Sequence, residues 1–269
     1  MKKFKKQRTI TFLACLCACV LLFAVCQIGA TDGQRYYSWY VRRNAEHKQP
    51  VADAHQATLA KYGVYYVDKA HNEQATDKVL YLTFDAGYEN GNICKIMDVL
   101  HEKEASAAFF VLKNMLLKER ALVERMEKDG HLICNHTLNH KDTSCMTEEE
   151  LTHEITGLAE LYRKQTGKEM APYYRPPEGK YSEESLRIAQ KLGYKTVFWS
   201  FAYADWDNDA QPDREKAKEK ILQNTHNGAV ILLHPTSATN AAILGELIDQ
   251  WKAEGYRFGT MDELVKGQV

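Results

Sequence analysis

The sequence predicts an α/β fold in which a parallel sheet carries its helices on the outside. Two observations predict it. Strand-like and helix-like stretches alternate over roughly 190 residues, the pattern of repeated β–α units. Neither an internal repeat, a low-complexity run nor a second domain interrupts them. The apolar runs at 78–84, 105–112, 131–135, 173–175, 195–200, 229–234 and 256–259 read as strands, with 63–67 a further one ahead of them. The stretches 93–104, 114–128, 147–165, 182–192, 213–226 and 240–254 read as helices. Several ends carry signals. Thr147 with Glu150 fits a capping box, and Gly193 and Gly255 stand where helices stop.

Composition bounds the chain further. Its 269 residues carry 35 basic and 36 acidic side chains, a balance that argues against nucleic acid as a partner. Hydrophobic residues make up 45%, enough for one large core. Residues 1–30 stand apart. Lys2, Lys3, Lys5, Lys6 and Arg8 head an uncharged run from Ile10 to Cys26, which reads as a signal peptide or an uncleaved N-terminal membrane anchor. The basic head would stay in the cytoplasm and the rest would be exported, touching the membrane through this segment alone. Leu16-Cys17-Ala18-Cys19 also resembles a lipobox, a reading weakened by the short apolar run before it. Four of the seven cysteines lie here; the others, Cys94, Cys134 and Cys145, make no disulfide framework and read as buried small hydrophobes. Residues 31–77, with Tyr36, Tyr37, Trp39 and Tyr40, are too aromatic for a solvated stalk. They read as an extension packed on the main domain at 78–269.

Polar residues fall at the C-terminal ends of the predicted strands, where α/β folds place their active sites. Asp85 follows 78–84, His136 follows 131–135, Arg175 ends 173–175, Asp205 lies in the loop after 195–200, and His234 ends 229–234. Each alone has an ordinary explanation, such as an aspartate opening a turn or a surface arginine. Five together point to chemistry. His136 and His140, at i and i+4, would share one face if their segment were helical, and two neutral imidazoles suit zinc or another divalent ion. Asp85 is placed to take a proton from an attacking water. Arg175, just before two prolines, is pre-positioned against a carboxylate. His234 stands where a catalytic acid would be needed. Asp205-Trp206 offers a carboxylate to orient a histidine and an aromatic wall for a sugar.

The order of these residues resembles that of the polysaccharide deacetylases, carbohydrate esterase family 4, over residues 78–265. Thr83-Phe84-Asp85-Ala86-Gly87 is similar to the family's TFDDG motif, which makes Asp85 the implied base. His136-Thr137-Leu138-Asn139-His140 is similar to its metal motif, H-S/T-x-x-H. Arg175-Pro176-Pro177-Glu178-Gly179 is similar to its RxPxG-type motif, whose arginine steadies the base. Asp205-Trp206 resembles the end of DxxDW, and Leu232-Leu233-His234 resembles LxH. The resemblance implies that Leu232 lines the acetyl pocket and that His234 is the acid, oriented by Asp205. It further implies that Pro177, Glu178 and Trp206 serve substrate binding, with a backbone N–H near Glu178 for the oxyanion. The implied fold is a distorted, incomplete (β/α) barrel.

Two positions depart from the family. Ala86 replaces a metal-ligating aspartate of TFDDG, and Ala202 replaces the first aspartate of DxxDW. The first change leaves two histidine ligands, with Asp85 or extra water to complete the shell, so zinc or another divalent ion should be held weakly. The run Phe84–Gly91, FDAGYENG, resembles the muramic-acid deacetylases of spore-forming bacteria. With segments 36–40 and 198–206 it extends the resemblance to 35–266. It implies an exported hydrolase of the cell wall that removes N-acetyl groups from peptidoglycan glycan strands. The implied target is N-acetylmuramic acid lacking a stem peptide, leading to the muramic δ-lactam of the spore cortex during sporulation. Two alternatives stand beside it: a deacetylase of chitin-like or other surface glycans, and a wall-binding protein whose site died with Ala86.

Overall fold

The computed structural model describes residues 35–43, 46–51, 53 and 55–267, and the expected signal or anchor at 1–30 lies outside them. Among the described residues no helix is long and apolar enough to cross a membrane. Strands β1 (Tyr37–Ser38) and β2 (Val64–Tyr65) precede β3 (Lys78–Ala86). Then follow α1 (Asn92–Glu102), β4 (Ala108–Val111), α2 (Lys113–Lys118), α3 (Arg120–Lys128), β5 (Leu132–Asn135), α4 (Glu148–Thr166), β6 (Tyr173–Tyr174) and β7 (Lys180–Tyr181). The chain continues through α5 (Glu183–Lys191), β8 (Lys195–Val197), α6 (Arg214–Gln223), β9 (Ala229–Leu233), α7 (Ala238–Ala253), β10 (Tyr256–Phe258) and α8 (Met261–Lys266).

β3 is the hub of a parallel sheet, pairing with β10, β4 and β9. From β4 the order runs through β5, β6 and β8 to β2. Just after β8 the chain meets β9 in an isolated parallel bridge, Phe201 to Ile231. The sheet thus curls back on itself and closes through a bridge instead of a full ladder, which is the distorted, incomplete barrel.

Parallel strands are covered on both faces, and β3 is buried along nearly its whole length. Leu80, Leu82, Phe84 and Ala86 join a core with Ile93, Ile96 and Met97 of α1 and Leu247 and Trp251 of α7. Val79 and Tyr81, on the other face, pack with Phe110, Cys134, Tyr173 and Val197. The two-residue period of a strand therefore sends Thr83 and Asp85 toward the barrel interior and Ala86 toward the helices.

Several expectations need correction. The helix expected at 114–128 divides into α2 and α3 at Glu119, whose φ of −120° and ψ of 38° are not helical. The strand expected at 195–200 ends at Val197, because the carbonyls of Val197 and Phe198 accept from the Arg175 guanidinium. Helix α8 and the antiparallel β1–β7 pair were not foreseen. Cys134 is buried, but Cys94 and Cys145 are exposed: Cys94 lies off the α1 stripe formed by Ile93, Ile96, Met97 and Leu100. The capping box of Thr147 and Glu150 forms at the start of α4, and Gly193 and Gly255 take positive φ beyond α5 and α7.

The aromatic N-terminal stretch lies against one wall of the barrel. Trp39 is 5% exposed and stacks on Phe198 at 4.4 Å. Its backbone N–H donates to the Gly179 carbonyl at 2.8 Å, and its Nε1 donates to the Trp199 carbonyl at 2.9 Å. Gly179 has φ +66°, and a Cβ there would sit 2.7 Å from the Trp199 ring. Trp39 thus props the turn that carries Glu178. Trp39→Ala is expected to cost about 3–5 kcal/mol of stability, the usual range for emptying a buried aromatic site. Denaturant unfolding measures it, and a loss below about 1 kcal/mol would make the contact dispensable.

Candidate active site

A cavity of about 570 Å³ opens where β3, β5 and β9 end, lined by Asp85, His136, His140, Glu178, Trp199, Ala202, Tyr203, Trp206, Leu232 and His234. A cavity of about 620 Å³ beside residues 46–73 is lined by no histidine and gathers no comparable set of groups.

Asp85 and Arg175 form the first half of the site. Arg175 is fully buried, and its Nη1 donates to Asp85 Oδ1 at 2.8 Å. Its other donors reach Val197 O at 2.9 Å, Thr83 Oγ1 at 3.0 Å and Phe198 O at 3.3 Å, and the guanidinium lies 4.1 Å from the centre of the Phe110 ring. Burial works against the charge on Asp85, but Arg175 and then His136 and His234 outweigh it, holding the carboxyl below the usual carboxylate value.

His136 and His140 stand beside that carboxylate. His136 Nδ1 lies 2.8 Å from the Arg175 carbonyl, which can only accept, so Nδ1 carries the proton and Nε2 is bare. Burial pushes the His136 pKa down to about 4, so the ring is neutral at ordinary pH. Its bare Nε2 faces Asp85 Oδ2 at 3.6 Å. Two lone-pair-bearing atoms facing each other without a proton to share suit a cation near them. The His140 ring centre is 5.1 Å from that of His136.

The two rings converge, but not through a helix. Residues 136–141 form an irregular loop in which Thr137 (φ 75°) and His140 (φ 55°) take left-handed backbone. Such strain, about 1–3 kcal/mol per residue, persists only where the surroundings fix it. Thr137 N donates to Asn135 Oδ1 at 2.9 Å, and His140 N donates to Thr137 Oγ1 at 3.1 Å. Buried Glu154 of α4 accepts from Asn139 N at 2.9 Å and from Asn139 Nδ2 at 2.6 Å. Among the described residues no cluster of three or more His, Cys, Asp or Glu side chains is set to hold a metal. Ala86 points away from the cavity and offers no ligand. The donors present therefore fit a divalent ion held by two imidazoles, with its other positions open.

His234 and Asp205 form the opposite half. His234 Nδ1 donates to Asp205 Oδ1 at 2.7 Å, and His234 N donates to Asp205 Oδ2 at 2.9 Å. The Nδ1 proton is committed to Asp205, which leaves Nε2 for the cavity. Burial lowers the His234 pKa, but the hydrogen bond and charge of Asp205 more than reverse this, and the net shift is upward. Trp206 is 59% exposed and meets the His234 ring edge-on at 5.9 Å. Leu232 is buried in the cavity wall. Glu178, at φ 56°, lines the rim and pairs with Lys180 at 2.8 Å. Of the singled-out residues, Arg175 and Asp205 stand behind the lining as supports. Pro177 is buried, opens the turn and does not line the cavity.

Sequence reasoning missed supporting groups. Asn90 and Asn92 each donate a side-chain N–H to Thr236 O at 2.9 Å, tying the loop after Asp85 to the one after His234. The only signal was the GYENG run, which holds Asn90 and ends one residue before Asn92, and neither asparagine had an assigned role.

An arginine-held carboxylate, a histidine pair and an aspartate-held histidine at the strand ends of an incomplete barrel define a hydrolase of the polysaccharide deacetylase type. Residues 72–197 match the family model described as polysaccharide deacetylase, and the chain belongs to that family, carbohydrate esterase family 4. It is 34% identical over 250 residues, 93% of each chain, to the peptidoglycan-N-acetylmuramic acid deacetylase PdaA of Bacillus subtilis. It is 30% identical over 195 residues, 71% of this chain and 89% of the relative, to the peptidoglycan-N-acetylglucosamine deacetylase of Bacillus cereus. The solved structure of Bacillus subtilis PdaA, a family 4 carbohydrate esterase, matches with a TM-score of 0.81 and 34% identity over 87% of this chain and 99% of that one. The family is generally metal-dependent.

If the two imidazoles hold the ion, the metal test is direct. His136→Ala and His140→Ala are each expected to lower activity by more than ~100-fold and to weaken zinc binding. Calorimetric titration of wild type and both variants with zinc checks this. Equal affinities would remove these histidines from the ligand set.

Proposed function

We propose that the protein is a metal-dependent peptidoglycan N-deacetylase acting outside the cytoplasm, on N-acetylmuramic residues that lack a stem peptide. One observation carries the reading: an ionised, arginine-held carboxylate and an aspartate-held histidine with an upward-shifted pKa face one cavity beside two imidazoles. A divalent ion, zinc in this reading, would be held by His136 and His140 and would supply Lewis acidity to water and to the acetamido carbonyl. Asp85 takes the proton of the attacking water, and Arg175 fixes its direction. The backbone N–H at Glu178 would meet the charge that grows on the carbonyl oxygen. Protonated His234 gives its Nε2 proton to the departing amine as the C–N bond breaks, releasing acetate. Leu232 walls the acetyl methyl, and Trp206 flanks the sugar.

Support for peptidoglycan comes from the two relatives, both named for deacetylating it. Support for the muramic sugar comes from the relative matched over 93% of the chain and from Phe84–Gly91. Among the described lining residues the acidic ones are Asp85 and Glu178, and none is a lysine or an arginine; Arg175 and Lys180, outside the lining, are taken by those two carboxylates. A lactyl carboxylate on O3 therefore has to point to the open rim or toward the ion. Once freed, the amine can close on that carboxyl as a δ-lactam, with loss of water, where no stem peptide occupies it; this is the chemistry of the spore cortex. The test offers purified protein, with zinc, peptide-free glycan strands, intact peptidoglycan and chitooligosaccharides, and follows deacetylation by mass spectrometry. Peptide-free strands are expected to be the preferred substrate. Preference for chitooligosaccharides would overturn the muramic reading, and no acetate from any of them would favour a wall-binding protein.

A further inference from the structure

We propose that Asn240, in the first turn of α7, is a positioning residue for the general acid, making His234 and Asp205 part of a three-membered unit. The proposal rests on the reading of His234 as the acid. Asn240 is 1% exposed. Its Nδ2 donates to Asp205 Oδ2 at 2.6 Å and to the main-chain carbonyl of His234 at 3.0 Å. Its Oδ1 accepts from the Tyr203 hydroxyl at 2.5 Å. The amide fits only this way round, because a carboxylate and a carbonyl can accept but not donate, whereas the tyrosine O–H donates.

Asn240 is itself held in place. Its backbone N–H donates to Ser237 Oγ at 3.1 Å, and Ser237 Oγ donates to Gln211 Oε1 at 2.6 Å. Gln211 Nε2 in turn donates to the Asp205 carbonyl at 3.2 Å. The bonds form a ring from the start of α7, through Gln211 in the loop before α6, and back to Asp205.

The consequence is geometric. Asp205 Oδ2 takes both the His234 N–H and Asn240, so the carboxylate plane is fixed and Oδ1 is left for the imidazole. A carboxylate free to turn would let the ring swing with it. Asn240 removes that freedom and also pins the backbone at His234, so it sets where the Nε2 that carries the acid's proton points. Groups that support a catalytic histidine in this way act on rate more than on substrate affinity. Sequence pattern alone gave no hint of this: Asn240 reads there as an ordinary polar residue in a helix.

The experiment uses two variants of the full chain. Asn240→Leu keeps the branching, is bulkier and makes no hydrogen bonds; Asn240→Asp keeps the acceptor for Tyr203 but puts a second carboxylate where Asp205 needs a donor. Steady-state kinetics on an N-acetylated glycan give kcat and KM. The metal-free protein gives the downfield imidazole Nδ1–H resonance of His234, assigned by its loss in His234→Gln. Expected for both variants is a fall in kcat of about 10–100-fold, KM within about twofold of wild type, and loss or broadening of that resonance, with cooperative unfolding retained. A folded variant with near-wild-type kcat, an unchanged resonance, or a raised KM at unchanged kcat would overturn the proposal. Should Asn240→Leu fail to fold, Asn240→Asp decides. If His234→Gln itself keeps wild-type turnover, the acid reading has failed instead.

Discussion

Asp85→Asn is expected to lower kcat by roughly 10²–10⁴-fold, the usual loss for a general base, while the protein stays folded. The amide has the same shape and still accepts from Arg175, but it cannot take a proton. The fold holds because Arg175 keeps Val197 O, Thr83 Oγ1 and Phe198 O as acceptors. His234→Ala should lose a similar factor, and the double variant should lose far less than the product, since both groups serve one reaction. The pH dependence follows from the same groups. Asp205 holds the His234 pKa above the ordinary histidine value, so kcat/KM should fall on the alkaline side only above that value. Asp205→Asn removes the charge that raises it, and the alkaline limb should move to lower pH. A limb that does not move would place the titrating acid elsewhere.

How far the sequence could be read depends on the range of the interactions involved. β3 was legible because burial on both faces leaves a continuous apolar run, and Asp85 was legible as the polar residue that ends it. His136 and His140 were legible as a pair, since they lie four positions apart in any conformation, but their loop was not. Thr137 is β-branched and a poor candidate for the left-handed backbone it adopts at φ 75°. The bonds that make this tolerable come partly from Glu154, which in sequence looks like any acidic helix residue. The break at Glu119 shows no glycine or proline, so nothing local announces it. Arg175 was recognised as a partner for a carboxylate. That it is wholly buried, and takes carbonyls that would otherwise extend β8, follows only from strands distant in sequence.

Arg175→Met is expected to cost about 3–5 kcal/mol of stability and to reduce activity by at least the factor seen for Asp85→Asn, because the substitution leaves a carboxylate buried without its counter-charge. Two main-chain carbonyls, of Val197 and Phe198, lose the same donor group, which adds to the cost. The carboxylate can escape only by taking a proton, and its pKa should then rise, as burial alone demands. A protonated Asp85 is no base, so stability and rate fail for one reason. The sign of the pH dependence follows. In wild type the Asp85 pKa is depressed, so its contribution to stability is present above the unfolded carboxylate value and fades as pH falls through the folded one. The gap between wild type and Arg175→Met should therefore be widest at neutral pH and narrow in acid. Arg175→Lys should lie between them, since an ammonium keeps the charge but cannot fork to four acceptors. Denaturant unfolding at neutral and acid pH, beside kcat, tests all of this, and a gap that is small or does not depend on pH would sink it. The double variant Asp85→Asn with Arg175→Met is the sharpest arm. If the penalty is an unpaired charge, removing both partners should restore part of the stability that Arg175→Met alone loses.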